Sequence, residues 1–490
     1  MSLIKELIQV DTKSDTPVYL QISNAFIQNI MQGRLRKGLK LPGSRETAAI
    51  LHINRMTVVA AFQELDAQGW IEMIPRKGTF IKTNLPLLTP KKIAAETSVF
   101  ALPEKPGFNY HEEKFTSVSL TDFPMPGKLI FNDGFPDTRL APVEQLIRNM
   151  RSFSRLPAHK KYLLYGGAQG TSFLRETLAA FLSDTRGLPI TSKNILITRG
   201  AQMALYIASL MLINPGDTVV VGTPGYSTAD LTFQQAGARI VAVPVDDEGM
   251  DIDAVEKICK KKKIKLLYVI PHHHNPTTVT LTPERRIRLL GLAAKYKFAI
   301  IEDDYDYDFH YASKPMMPMA SLDRFGNVIY VGTLTKTLAP AIRFGFIAAP
   351  EDFIRTATYL RKTIDTQGDS LMENAIAEMY KDGSIARHIK KSVKLYKERR
   401  DHLCYLLQHE LGKYTSFNIP DGGMSVWTKF IHADLSAVSE KAFRKGLIIR
   451  NGKDYDTPKI KYNAVRLGFA SLNFREQEKA VSILKEIMMK

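Results

Sequence analysis

A single lysine, Lys336, sits in a threonine-rich turn, Val331-Gly-Thr-Leu-Thr-Lys-Thr-Leu338, between two apolar runs, 328–331 and 344–349. Each run reads as a buried strand. A lysine held between buried strands loses part of its hydration, which lets its amine deprotonate and attack a carbonyl. Thr333, Thr335 and Arg343 add two hydroxyls and a guanidinium within reach of the same turn, a donor set that suits a phosphate dianion. An aldehyde that carries a phosphate is pyridoxal phosphate, so the stretch reads as a Schiff-base lysine beside a phosphate cup. Taken alone, the turn also fits an ordinary surface loop with a solvated lysine.

Upstream, Phe298-Ala-Ile-Ile-Glu-Asp-Asp-Tyr-Asp-Tyr-Asp-Phe309 is an apolar strand running into a cluster of carboxylates. The pyridine nitrogen of pyridoxal phosphate stays protonated only beside a partly buried carboxylate. The carboxyl end of a buried strand is where α/β sheets bind their ligands. This stretch resembles the D-x-Y segment of fold-type I aminotransferases, and the turn around Lys336 resembles their S-x-S-K-x-x-x-P-x-x-R segment. The resemblance implies that Asp303 pairs with the pyridine nitrogen and that Tyr305 hydrogen-bonds the ring hydroxyl.

The elements that must position these groups follow an alternating strand and helix pattern through 190–350, which predicts a mixed, mainly parallel sheet with helices on both faces. Ile195-Leu-Ile-Thr-Arg-Gly-Ala-Gln-Met-Ala-Leu205 reads as strand, tight turn and helix. The helix start, Gly200, Ala201 and Gln202, offers free N–H groups as a second wall of the phosphate cup. Val219-Val-Val-Gly-Thr-Pro-Gly-Tyr226 is another strand, and the resemblance lays Tyr226 against the cofactor ring. In Pro271-His-His-His-Asn-Pro-Thr-Thr278 the three histidines are adjacent, so their side chains diverge and no metal site is expected. The resemblance reads this as an N-P-x-G segment in which Asn275 bonds the ring hydroxyl, with Thr278 in place of the usual glycine. It also places Tyr165, in Tyr165-Gly-Gly-Ala-Gln-Gly170, at the phosphate of a neighbouring subunit's cofactor, implying a domain-swapped homodimer. Arg466, inside the apolar strand 464–470, needs an anion: either a structural ion pair or, by the resemblance, the carboxylate of a bound amino compound.

A chain of 490 residues is too long for one ordinary domain. Two cysteines, Cys259 and Cys404, cannot build a disulfide framework, and no apolar stretch is long enough to span a bilayer. The expectation is a cytoplasmic protein with no membrane role. The net charge of +17 points to an anionic partner, although residues 1–83 hold eleven Lys and Arg against seven Asp and Glu. Most of the excess lies in Lys260–Lys263 and in the helix-like run 387–400, both of which fit solvated faces.

Residues 1–83 read as helix, helix, short turn, helix and hairpin, the pattern of a winged helix-turn-helix. Ser44 is a plausible cap for the second helix and Asn54 for the third. The third helix presents Arg55, Met56 and Thr57 to the major groove of double-stranded DNA. Ser44 and Arg45 suit a phosphate at the second helix start, and the hairpin tip, Arg76, Lys77 and Gly78, suits the flanking groove or backbone. This segment resembles the GntR winged-helix domain. A Pro-rich connector is expected at 84–127, then the aminotransferase-like domain at 128–490, with a large part to about 375 and a smaller α+β part from about 376.

The combination resembles the MocR family of bacterial regulators (GabR-like). It implies a homodimeric transcription factor that senses pyridoxal phosphate, or an amino compound, through a Schiff base at Lys336. Where members of that family often carry an arginine four residues after the Pro-Gly-Tyr tyrosine, this chain has Asp230. The competing expectation is a working aminotransferase that carries a DNA-binding head.

Overall fold

The computed structural model describes residues 3–85, 105–109, 127–155, 157–311 and 316–489. The chain divides into two compact units, Met1–Tyr110 and His111–Lys490. Most of the connector expected at 84–127 lies outside the described residues.

The first unit contains helices α1 (Leu3–Leu7) and α2 (Val18–Met31), strand β1 (Lys40–Leu41), helices α3 (Ser44–Leu51) and α4 (Arg55–Ala67), and strands β2 (Ile71–Ile74) and β3 (Gly78–Ile81). Apolar residues at helical spacing on α2 and α4 make its core: Ile22, Phe26 and Ile30 pack with Val58, Phe62 and Leu65. The expected hairpin forms, and β1 adds a third antiparallel strand to give the order β1-β3-β2. The start of α3 differs from expectation. Thr47 N–H donates to the Gly43 carbonyl, so Gly43 takes the cap position and Ser44 is the first helical residue, without a side-chain cap. Asn54 caps α4 as its sequence position implies, its side-chain oxygen accepting from Met56 N–H at 2.8 Å. Asn54→Ala should therefore cost about 1 kcal/mol in this unit's unfolding free energy. A urea midpoint unchanged from wild type would contradict this.

The second unit is built on an eight-stranded sheet. Strand β4 (Leu129–Ile130) enters the unit, followed by helices α5 (Val143–Arg155) and α6 (Ser172–Arg186). The sheet strands are β5 (Ile195–Thr198), β6 (Thr218–Thr223), β7 (Arg239–Asp246), β8 (Gly249–Met250), β9 (Ile264–Val269), β10 (Ala299–Asp303), β11 (Val328–Thr333) and β12 (Gly345–Ala348). Helix α7 (Ala201–Leu212) follows β5 and α8 (Ser227–Gln235) follows β6. The strand order is β5-β12-β11-β10-β9-β6-β7-β8. Strands β7, β6, β9, β10 and β11 run parallel, whereas β12 is antiparallel to both β11 and β5. Successive residues face opposite sides of a strand, and both sides are covered. Leu266, Tyr268 and Ile301 join one buried cluster, while Leu267, Val269 and Ile300 join another. That double burial is why these strands read as continuous apolar runs.

The C-terminal part carries a three-stranded antiparallel sheet, β13 (Thr415–Phe417), β14 (Ser425–Phe430) and β16 (Ala464–Gly468), ordered β13-β14-β16. Its core includes Leu403, Leu407, Val426, Leu467 and Leu484. Strand β15 (Leu447–Ile448) pairs in parallel with β4, and Phe131 packs into the same core. The segment that enters the unit is thus stitched to its far end, which brings residues 132–135 beside β16. Among the described residues no helix is long and apolar enough to cross a membrane.

Candidate functional site

Five chain segments leave the same edge of the large sheet. The carboxyl ends of β6, β9, β10 and β11 lead to Tyr226, Asn275, Asp303 with Tyr305, and Lys336, and β5 leads into α7. They enclose a cavity of about 290 Å³ whose wall includes Ala201, Gln202, Tyr226, Asn275, Asp303, Tyr305, Thr333, Thr335, Lys336 and Arg343. Ten residues expected from sequence to serve one chemistry therefore meet at one place. Ligand binding at the carboxyl edge is the general behaviour of such sheets.

Asp303 ends β10 and is buried. Tyr268 O–H donates to its Oδ2 at 2.8 Å, while its Oδ1 is buried with no hydrogen-bond partner among the described residues. Burial raises this carboxyl to about 7; the Tyr268 bond opposes the rise, and the nearby Asp304 and Asp306 add to it. A cation or an N–H placed in the cavity would satisfy that oxygen and restore the carboxylate. Tyr305 lines the same wall, but its hydroxyl donates to the His273 carbonyl at 3.0 Å and accepts from Arg466 at 3.1 Å. The three histidines diverge: His272 faces Asp304 at 3.1 Å, His273 faces Asp306 at 3.0 Å, and His274 meets Thr277 at 2.9 Å. They are held by separate partners and so fix the loop that carries Asn275. Thr278 adopts φ +64°, the left-handed conformation that its replacement of a glycine would require.

The opposite end of the cavity is rich in donors. Thr333 Oγ1 donates to the Phe344 carbonyl at 2.7 Å and lies 2.8 Å from Thr335 Oγ1. Each hydroxyl has one proton, so with the Thr333 proton on the Phe344 carbonyl the short contact between the two threonines is made by the Thr335 proton. Arg343 leans on the start of α7, where its guanidinium donates to the Arg199 carbonyl at 3.3 Å. Gly200 lies outside the cavity wall, at φ +82° in the cap position of α7, and a Cβ there would come within 2.6 Å of the Arg343 guanidinium. Only glycine permits both the turn and that approach. Gln202 turns its side-chain amide to Thr232 Oγ1 at 2.6 Å, so its own offer to an anion is the backbone N–H of a helix start.

Lys336 Nζ donates to the Gly134 carbonyl at 2.5 Å and lies 4.5 Å from the centre of the Phe135 ring. Burial lowers the amine to about 8, and the Arg466 charge lowers it further; Asp133, Asp306 and Asp303 pull the other way. Between about pH 8 and the ordinary 10.5, the unfolded chain binds a proton that the folded chain has released. Stability contributed by this group therefore rises with pH across that window. Reductive trapping of Lys336 with an aldehyde and borohydride should be half-maximal near pH 8. A peptide-resolved labelling profile still climbing above pH 10 would contradict the lowered amine.

Sequence reasoning missed a group that lines the cavity from distant segments: Asp133 and Phe135 after β4, and Arg450, Asp454 and Tyr455 after β15. Arg450 pairs with Asp454 at 3.4 Å. No local motif marks them, because the pairing of β4 with β15 is what brings them together. Arg466 is 2% exposed and does not line the cavity. Its Nε donates to Ser425 Oγ at 2.7 Å and pairs with Asp133 at 2.9 Å. Tyr165 stands apart from the cavity of its own chain and is 89% exposed, next to exposed Leu163 and Leu164.

In the first unit, Arg55 and Met56 are exposed and Thr57 half-buried at the start of α4; Met56 is 68% exposed. Arg45 is exposed beside half-buried Ser44 at the start of α3. Arg76, Lys77 and Gly78 are exposed at the turn between β2 and β3.

A winged helix-turn-helix followed by an aminotransferase-type α/β unit defines a class of proteins that bind DNA with one unit and hold a small-molecule site in the other. Residues 18–81 match the bacterial regulatory proteins of the gntR family, and residues 127–484 match the aminotransferase class I and II family. The chain is 30% identical over 468 residues to YdfD, an uncharacterized HTH-type transcriptional regulator of Bacillus subtilis (strain 168), covering 95% of each. It is 27% identical over 430 residues to MocR, a probable rhizopine catabolism regulatory protein of Rhizobium meliloti, covering 87% of this chain and 84% of that one. Among solved structures, Pyrococcus horikoshii kynurenine aminotransferase superposes with a TM-score of 0.69 at 29% identity, over 74% of this chain and 91% of that one. The chain belongs to the MocR-like regulators, GntR-type DNA-binding proteins with a class I and II aminotransferase domain.

Proposed function

We propose that this protein is a homodimeric, cytoplasmic transcription regulator that holds pyridoxal phosphate in the cavity at Lys336 and answers to a primary amine, or to the cofactor itself. The carrying observation is that Asp303, whose buried Oδ1 has no hydrogen-bond partner among the described residues, lines the same cavity as a lysine lowered to about 8. An acceptor for a pyridine N–H and a reactive amine, with Thr335, Arg343 and the α7 start to receive a phosphate, fit the one cofactor. When bound, pyridoxal phosphate supplies an aldehyde carbon that exchanges one primary amine for another.

The chain's own groups divide the remaining tasks. Asp303 would hold a proton on the ring nitrogen, Arg343 and the N–H groups at 201–202 would receive the phosphate, and Tyr226 would pack against the ring. Asn275 and Tyr305 bound the ring hydroxyl's side of the cavity. Lys336 with a free, protonated Nζ would donate to the Gly134 carbonyl, the contact it makes in the structure. That carbonyl lies on the segment that follows β4, whose pairing with β15 supports a link from the site to the C-terminal part. Exposed Leu163, Leu164 and Tyr165 support a second copy covering that surface, with Tyr165 reaching the partner's site. Residues 44–45, 55–57 and 76–78 would carry the contacts to double-stranded DNA.

The test is an absorbance titration of the loaded full-length protein with a panel of amines and amino acids, run in parallel with binding to its own promoter DNA. An amine that shifts the cofactor band and changes DNA affinity, without accumulating a keto acid or aldehyde, is the expected result. Product formed over many turnovers with DNA binding unmoved would replace this reading with that of an enzyme.

A further inference from the structure

The cavity wall near Lys336 includes an acidic residue from the segment after β4. Asp133 lines the cavity, with its side chain 17% exposed, and Tyr455 O–H stands 3.5 Å from its Oδ1. The same carboxylate pairs with buried Arg466 at 2.9 Å. The Arg466 Nε of that pair also donates to Ser425 Oγ at 2.7 Å, and Nη1 donates to the Tyr305 hydroxyl at 3.1 Å. A Cβ on Gly134 would meet the remaining Arg466 nitrogen at 3.2 Å. Arg466 is thus closed in on the cavity side by Asp133, Gly134 and Tyr305. Asp133 is also placed by the segment that holds the reactive amine: Gly134 accepts from Lys336 Nζ, and Phe135 lies over it. A ligand amine arriving at Lys336 must set the substituents of its carbon against residues 133–135.

We infer that Asp133 is a specificity-determining residue, and that it tunes the site to primary amines lacking a carboxylate on the carbon that bears the nitrogen. This rests on the amine-responsive reading above. A ligand carboxylate at that position would meet the Asp133 carboxylate, and to reach Arg466 it would have to break a buried charge pair. An amine carrying only hydrogen or carbon there meets a neutral, already satisfied pair.

The experiment uses the full chain loaded with pyridoxal phosphate and three matched pairs that differ only in the α-carboxylate: putrescine and ornithine, tyramine and tyrosine, ethylamine and alanine. Binding is read from the shift of the cofactor band. In the wild-type protein each amine should bind roughly 10-fold or more tightly than its carboxylated partner. Asp133→Gly, which uncovers Arg466, should reverse the preference by roughly 10- to 100-fold. Asp133→Asn, which keeps the shape and removes the charge, should move it the same way if the glycine variant does not fold. Equal or tighter binding of the amino acids by wild type, or an unchanged ratio in Asp133→Asn, overturns the inference and leaves the amine-responsive reading standing. If none of the six compounds shifts the band of the loaded protein, both readings fall together.

Discussion

Replacing Lys336 with alanine is expected to lower the affinity for pyridoxal phosphate by roughly 100-fold or more, about 2.8 kcal/mol, and to abolish every amine-dependent change in DNA binding. The two effects have different origins. On the proposed reading the affinity would fall because the covalent anchor is lost, yet not vanish, since Asp303, Thr335, Arg343 and the start of α7 still line the cavity. On the same reading the response would disappear because alanine has no amine to leave or regain the Gly134 carbonyl, the contact that Lys336 makes in the structure. DNA binding itself should survive, because the first unit has its own core. Cofactor affinity by equilibrium dialysis and promoter binding with and without amine test the two parts separately. An amine response retained by the variant would remove Lys336 from the signalling step.

Arg286→Met is expected to destabilise the second unit by about 3–5 kcal/mol, although Arg286 touches neither cavity nor surface. Its side chain is fully buried and donates to the carbonyls of Leu281 at 2.8 Å, Met317 at 2.8 Å and Pro271 at 2.9 Å, with His272 Nε2 at 3.1 Å. Burial lowers the guanidinium's pKa, while Glu302 and Asp304 nearby favour its charge. Methionine fills similar volume but leaves three buried carbonyls with fewer partners and those carboxylates less compensated. The loss falls on the loop between Pro271 and Leu281, which carries Asn275, so cofactor affinity should fall with stability. Urea unfolding followed by tryptophan fluorescence and circular dichroism measures the first effect. A loss below about 1 kcal/mol would mean that the loop is held mainly by its histidine pairs.

Much of the site is legible in the sequence because its residues sit at the ends of strongly apolar strands. Asp303 follows 299–302, Lys336 follows 328–333 and Tyr226 follows 218–223, so each strand announces the residue it delivers to the edge. The winged helix is legible for a related reason. Its helices repeat their apolar residues at helical spacing, and Asn54 marks the start of α4 by a local hydrogen bond. At the start of α3 the local signal misleads: Ser44 reads as the cap, but the bond from Thr47 N–H to the Gly43 carbonyl makes it the first helical residue.

What the chain determined by itself was therefore local and periodic: the two units' character, the buried strands, and the lysine and aspartate that those strands deliver to one cavity. Three features needed the tertiary structure. The pairing of β4 with β15 joins segments more than 300 residues apart through two-residue strands, which leave no periodic trace. The surroundings of Arg466 were open in the sequence between an ion pair and a ligand clamp, and only the fold brought Asp133 to 2.9 Å. The unpartnered oxygen of Asp303 is likewise invisible in sequence, because the want of a hydrogen-bond partner is a property of everything packed around an atom. Strand and helix patterns come from interactions between near neighbours, whereas a cavity wall is assembled by contacts between distant ones, and its charges are set by which of those contacts the packing completes.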